Sequence, residues 1–300
     1  MPLPPNQFFE HAHRKNTKMT STTVKPAHPA QPALDIDGPY PLTEEQKRFC
    51  REQGYVKLKD VLSPEVLAYY GPIISQRVQE LNTLTRPMNE RTTYEKAFLQ
   101  IMNIWTKCPV VKELVFSKRL ARLAAELMGS RGVRLYHDQA LFKEAGGGLT
   151  PWHADQQYWP LDTSKTITAW IPLQATPLAM GPLAFGAGSH RFQAGRELEI
   201  SDESEQKLGE LLRDQSKLIE EPFDLGEVSF HYGWTFHRAG LNTTPQMRGV
   251  MTIIYFDQDA KVSQPENKNQ LNDFNTWLPG ATVGQVADTP LNPVLYSASA

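Results

Sequence analysis

The chain has 300 residues, with 31 Lys and Arg against 33 Asp and Glu, so it carries no broad basic field for binding nucleic acid. Hydrophobic residues make up 40% and charged residues 21%, which excludes a wholly disordered or fibrous chain and leaves enough apolar surface for a real core. Apolar runs such as residues 250–256 are too short to cross a bilayer, and Cys50 and Cys108 alone cannot form a disulfide framework or a cysteine-rich zinc site; no membrane association and a reducing, cytoplasmic location are expected.

Residues 1–41 hold eight prolines and few large aliphatics, a composition that predicts a flexible tail. Residues 42–300 read as a single domain. Helical support is expected over 42–130 and a β core over 131–260, with a lid insertion near 190–220 and a C-terminal wrap over 261–300. Thr43-Glu44-Glu45-Gln46 has the form of a capping box, with Gly54 as the helix stop and Tyr55-Val56-Lys57-Leu58 as a short strand. Ser63-Pro64-Glu65 opens a second helix running to Leu81 with a break at Gly71-Pro72, and a third helical stretch covers 110–128. From Val133 the period changes: strands are expected at 133–142, 166–173, 227–231 and 249–256, with weaker ones at 183–186 and 220–223. Such spacing predicts a mainly β fold with flanking helices, a sandwich or barrel with the jelly roll as leading form.

The chemistry centres on Pro151-Trp152-His153-Ala154-Asp155. On extended backbone a His and an Asp two residues apart point to the same side, so an imidazole and a carboxylate can face one ion. A third ligand must come from elsewhere; His237 is the best candidate and His231 its competitor. Two histidines and one carboxylate leave three octahedral positions open, the arrangement that suits non-haem Fe(II) and oxygen chemistry. Arg248, just before the apolar run 250–256, can grip a carboxylate through two parallel hydrogen bonds, or else pair with an internal acid.

Several stretches then match in order: Leu135-Tyr136-His137-Asp138-Gln139-Ala140-Leu141-Phe142-Lys143, Thr150-Pro151-Trp152-His153-Ala154-Asp155-Gln156, Trp170-Ile171-Pro172-Leu173, Gly188-Ser189-His190-Arg191, His231-Tyr232-Gly233-Trp234-Thr235-Phe236-His237 and Arg248. Through them the chain resembles the phytanoyl-CoA dioxygenase family, iron(II)- and 2-oxoglutarate-dependent oxygenases with a double-stranded β-helix (jelly roll, cupin-like) core. The resemblance implies that His153, Asp155 and His237 hold Fe(2+), that Arg248 holds the distal carboxylate of 2-oxoglutarate, and that Gln139, Lys143 and Trp170 contact this cosubstrate. It implies consumption of O2, release of succinate and CO2, and hydroxylation or another oxidation of an unactivated carbon. Two alternatives stand beside it: a non-catalytic jelly-roll protein that keeps a metal, and a cupin-type metal enzyme that does not use 2-oxoglutarate.

Within the resemblance Gln139 and Lys143, four apart on one strand, face one side, and Trp170 lies opposite the row Ile167, Ala169, Ile171. Lys143 at a solvent-facing edge and Trp170 as plain core packing remain the competing readings. Met102, Tyr136, Gln157, Tyr158 and Trp159 are the expected substrate contacts, for a small-molecule substrate turned over by a monomer or homodimer. Lys118, Arg119, Arg122 and Arg131 read as a solvated helix face rather than a coenzyme A phosphate site.

Overall fold

A computed structural model of the chain describes residues 34–298, so most of the segment expected to be a tail lies outside the described residues. Its last part, 34–41, is held in place: Ser117 donates to the Ile36 carbonyl, and Arg119 Nε donates to the Gly38 carbonyl at 2.7 Å.

The helical support begins with α1 (Glu44–Gln53), whose Thr43 and Gln46 cap one another reciprocally and which ends at Gly54. After β1 (Tyr55–Leu58), α2 (Pro64–Leu81) runs through Gly71 and Pro72 without the expected break. Its buried face of Val66, Leu67, Tyr70, Ile74 and Val78 continues across Pro72, so packing outweighs the one backbone hydrogen bond that proline removes. Next come α3 (Thr93–Ala97) and β2 (Leu99–Met102). The expected helix at 110–128 is two, α4 (Pro109–Val115) and α5 (Lys118–Met128), because Ser117 caps the second by accepting from Leu120 N at 3.3 Å. Two basic groups on α5 are occupied locally: Arg119 Nη1 donates to the Val61 carbonyl and Arg122 pairs with Glu126.

The β core follows as β3 (Gly132–Lys143), β4 (Thr150–His153), β5 (Thr166–Pro172) and β6 (Leu183–Ala187). Then come α6 (Asp202–Gln215), β7 (Lys217–Glu220), β8 (Val228–Tyr232), β9 (His237–Ala239) and β10 (Arg248–Asp257). The chain closes with α7 (Lys268–Trp277) and β11 (Val294–Ser297). The weak strand expected at 220–223 sits earlier, as β7, because Phe223 turns in to pack on Trp170 with ring centroids 4.7 Å apart.

Among the described residues two antiparallel sheets form the jelly roll: a larger one in the order β1-β8-β5-β10-β3-β11, with β2 also on β3, and a smaller one in the order β4-β9-β6-β7. Period-two alternation divides the larger sheet. Ile167, Ala169, Ile171, Met251, Ile253 and Tyr255 pack outward on α2, α4 and α5, while Trp170 and Val250 turn inward towards the smaller sheet. The region expected to be a lid contains α6, which buries Leu208 and Leu212 against Trp152 and Phe236 on the outer side of the smaller sheet. No helix among the described residues is long and apolar enough to cross a membrane.

Candidate active site

Between the two sheets lies a cavity of about 320 Å³, walled on one side by β3, β5 and β10 and on the other by β4 and β9. His153 and His237 enter from the smaller sheet as directly opposed residues of β4 and β9. The strand ends at His153, and Asp155 opens a short 3-10 turn, residues 155–158, rather than continuing the extended backbone expected from the spacing. His153, Asp155 and His237 each offer one ligand atom, all within 4.8 Å of one another.

Their surroundings fix how these atoms point. His153 Nδ1 lies 2.7 Å from the Pro151 carbonyl and His237 Nδ1 3.0 Å from the Thr235 carbonyl. A carbonyl only accepts, so both Nδ1 atoms carry the proton and both Nε2 lone pairs turn inward. The Nε2 atoms stand 3.6 and 3.7 Å from Asp155 Oδ1. The other oxygen of Asp155 is held from behind: Thr168 Oγ1 donates to Oδ2 at 2.9 Å, and His231 Nε2 lies 3.4 Å from it. His231 therefore supports the carboxylate from its far side, and the trio leaves it out. Burial works against the ionised form of Asp155, but the imidazoles of His237, His153 and His231 outweigh it and hold the carboxyl well below its usual range. His237 is pushed the other way, by burial and then by its two histidine neighbours, and stays neutral. Neutral imidazoles beside an ionised carboxylate are the donor set a divalent iron takes.

Arg248 is buried beside this trio on β10. Its Nη1 donates to the Gly181 carbonyl, its guanidinium carbon lies 5.5 Å from the Trp170 ring centre, and its Nε has no partner. Among the described residues no acid pairs with it. Burial alone pulls its pKa to about 9, which leaves it charged at neutral pH. A buried cation with an orphaned donor, aimed into the cavity that holds the trio, fits a carboxylate ligand such as 2-oxoglutarate.

Gln139 and Trp170 line the cavity. Trp170 also packs on Phe223, so it both packs and faces the site. Lys143 is placed differently. It stands opposite Arg248 in the β3–β10 ladder, but its side-chain nitrogen donates to the Gly148 carbonyl and lies 3.4 Å from Thr150 Oγ1. Burial, with Arg248's charge beside it, lowers its pKa to about 6. It is buried, so it is not a solvent-facing edge residue.

Of the expected substrate contacts, Met102, Tyr158 and Trp159 line the cavity. Tyr136 and Gln157 stand behind its wall: Tyr136 donates to Asp273 Oδ2 at 3.1 Å, and the Gln157 side chain accepts from Asn269 at 3.3 Å. The cavity residues that sequence reasoning missed include Tyr94 from α3, Gln100 from β2, Ile200, and Asn269, Asn272, Asp273 and Trp277 from α7. The spacing of Asn269, Asp273 and Trp277, every fourth residue, marks one helix face and was the available signal.

Residues 50–250 match the phytanoyl-CoA dioxygenase (PhyH) family. The chain is 21% identical over 243 residues to an ectoine dioxygenase from Bordetella bronchiseptica, covering 75% of this chain and 79% of that protein. In fold it is similar to the non-haem alpha-ketoglutarate-dependent carbocyclase SnoK from nogalamycin biosynthesis, with a TM-score of 0.70, 26% identity, and coverage of 86% of this chain and 99% of SnoK. It is similar also to EctD from S. alaskensis with 2-oxoglutarate and 5-hydroxyectoine, with a TM-score of 0.65, 20% identity, and coverage of 84% and 86%. The chain belongs to the phytanoyl-CoA dioxygenase family and is a non-haem iron(II)- and 2-oxoglutarate-dependent dioxygenase.

Proposed function

We propose that His153, Asp155 and His237 hold the iron, that Arg248 holds the distal carboxylate of 2-oxoglutarate, and that the enzyme hydroxylates a carbon of a small organic substrate bound in the same cavity. The observation that carries this reading is the meeting of three converging ligand atoms and one buried guanidinium, without an acidic partner among the described residues, in one cavity. Bound there, iron(II) and 2-oxoglutarate supply the means to activate O2 for C–H oxidation, with succinate and CO2 as coproducts.

The chain's own residues supply geometry, charge and dryness. His153 and His237 present Nε2 because their Nδ1 protons are committed to backbone carbonyls. Asp155 contributes the carboxylate, with Oδ1 left facing the histidines because Thr168 and His231 occupy the side of Oδ2. Arg248 supplies a fixed positive charge that needs no reorganisation, and Trp170 shields it from water. Residues 42–300 act as one domain, with α7 and Ile200 lining the cavity beside the substrate.

Anaerobic addition of Fe(II) and then 2-oxoglutarate tests the reading. A weak visible charge-transfer band is expected, lost in His153→Ala and weakened at a given 2-oxoglutarate concentration in Arg248→Ala. A flat spectrum from the folded wild-type chain overturns it.

A further inference from the structure

The cavity contains one acidic group outside the trio, and among the described residues no basic side chain pairs with it. Asp273 lies on α7, is 7% exposed and lines the cavity. Its one hydrogen bond is a neutral one, accepted at Oδ2 from the Tyr136 hydroxyl at 3.1 Å, and among the described residues no Lys, Arg or His pairs with it. A carboxylate buried in this way is costly in its ionised form without a cation.

The surroundings point to what the cation is. Tyr94, Phe98, Tyr158, Trp159 and Trp277 share the cavity wall with Asp273, and aromatic faces attract an ammonium group through the ring quadrupole. Tyr94 lines the cavity together with Asp155 and Asp273, so the aromatic wall shares one space with the proposed iron site and the carboxylate. His137, which lines the same cavity, is kept neutral, with burial drawing its pKa down to about 3. Burial likewise raises Asp273 to about 7, so near neutral pH this carboxyl can exchange its proton for a positive partner.

We propose that Asp273 anchors the substrate and that the substrate is a small organic amine, its ammonium group paired with this carboxylate and its carbon skeleton laid along the aromatic wall. Tyr136 acts as the positioning residue that orients Asp273 from behind. The inference rests on the reading of the same cavity as the oxygenase site.

The test is calorimetric titration of the full chain under nitrogen, with and without Fe(II) and 2-oxoglutarate, using matched pairs of probes: phenethylamine against 2-phenylethanol, and hexylamine against hexanol. The amines are expected to bind about tenfold tighter than their alcohols or better, Asp273→Asn to remove that preference, and Tyr136→Phe to weaken it severalfold. Equal binding of amine and alcohol, a preference that survives Asp273→Asn, or no binding of either amine overturns the proposal. The visible band of the same samples with Fe(II) and 2-oxoglutarate separates the two readings. A band without amine preference sinks the inference alone, whereas amine binding without a band sinks the iron assignment and leaves Asp273 as an amine site.

Discussion

His153 and His237 are cross-strand partners of β4 and β9, with ring centroids 4.1 Å apart. Residues far apart in sequence thus have their ligand nitrogens set by a backbone ladder. Because the sheet fixes the pair, His237→Ala is expected to leave the fold intact and lower iron affinity more than about 100-fold, beyond what loss of an outer hydrogen-bond partner produces. Iron content after gel filtration, read beside far-ultraviolet circular dichroism, checks it. An iron-replete His237→Ala protein contradicts the ligand assignment.

Thr168 and His231 face one another across β5 and β8, and both address Asp155 Oδ2. Thr168→Val keeps the shape and removes the hydroxyl donor, freeing the carboxylate to rotate. A drop of about 10–100-fold in iron affinity is expected. Thr168→Ser, which keeps the hydroxyl, should recover most of it. Fe(II) titration followed by the 2-oxoglutarate band measures both variants, and a Thr168→Val protein that titrates like wild type removes the positioning role.

Much of this site was legible because it depends on short-range period. His153 and Asp155, the alternation that turns Trp170 inward, and Arg248 at the head of an apolar strand are local patterns that survive folding. What was not legible came from irregularity and from distance. The β3–β10 register slips at Ile254/Tyr255, where Ile254 pairs with His137 and Tyr255 with Leu135, leaving Tyr136 as an extra residue. Tyr136 therefore turns inward next to His137 instead of opposite to it, and ends up behind Asp273. Lys143 shares a face with Gln139, as alternation demands, but the turn at Gly148 offers its amine a carbonyl that spacing could not reveal. The α7 contacts depend on where the last forty residues pass over the cavity: the spacing of Asn269, Asp273 and Trp277 marks a helix face but not what that face meets.

Asp273 makes stability depend on pH in a direction that can be isolated. Its carboxyl rises from 3.8 to about 7 on folding, chiefly through burial, with Tyr136 from β3 opposing weakly; Tyr94 from α3 and neutral His137 share the cavity. Between these values the folded chain keeps a proton that the unfolded chain releases, so the contribution is complete below about pH 4 and is lost as pH rises through 7. Asp273→Asn has no such proton. The variant should match wild type near pH 4.5 and exceed it at pH 8 by an amount on the order of a few kcal/mol. Urea midpoints for both proteins across that range decide it, and a constant difference would show that Asp273 is not a raised, buried carboxyl.

Arg248 is held by the main chain of Gly181, which accepts from its Nη1. Gly181 has φ +69°, and a side chain there would run into the Gly240 carbonyl. Gly181→Ala thus meets both a left-handed backbone, worth roughly 1–2 kcal/mol for a residue with a Cβ, and a steric clash that displaces the carbonyl from the guanidinium. Arg248→Ala, which removes the charge, should raise the 2-oxoglutarate KM about 100-fold or more without altering iron content. Gly181→Ala should raise the same KM by a smaller factor and lower the melting temperature, with the charge still present but less well aimed. Steady-state succinate formation against 2-oxoglutarate concentration, with iron content measured in parallel, tests both variants. A Gly181→Ala enzyme that loses stability but keeps the wild-type KM would detach the Gly181 carbonyl from cosubstrate binding and leave Arg248 aimed by Trp170 alone.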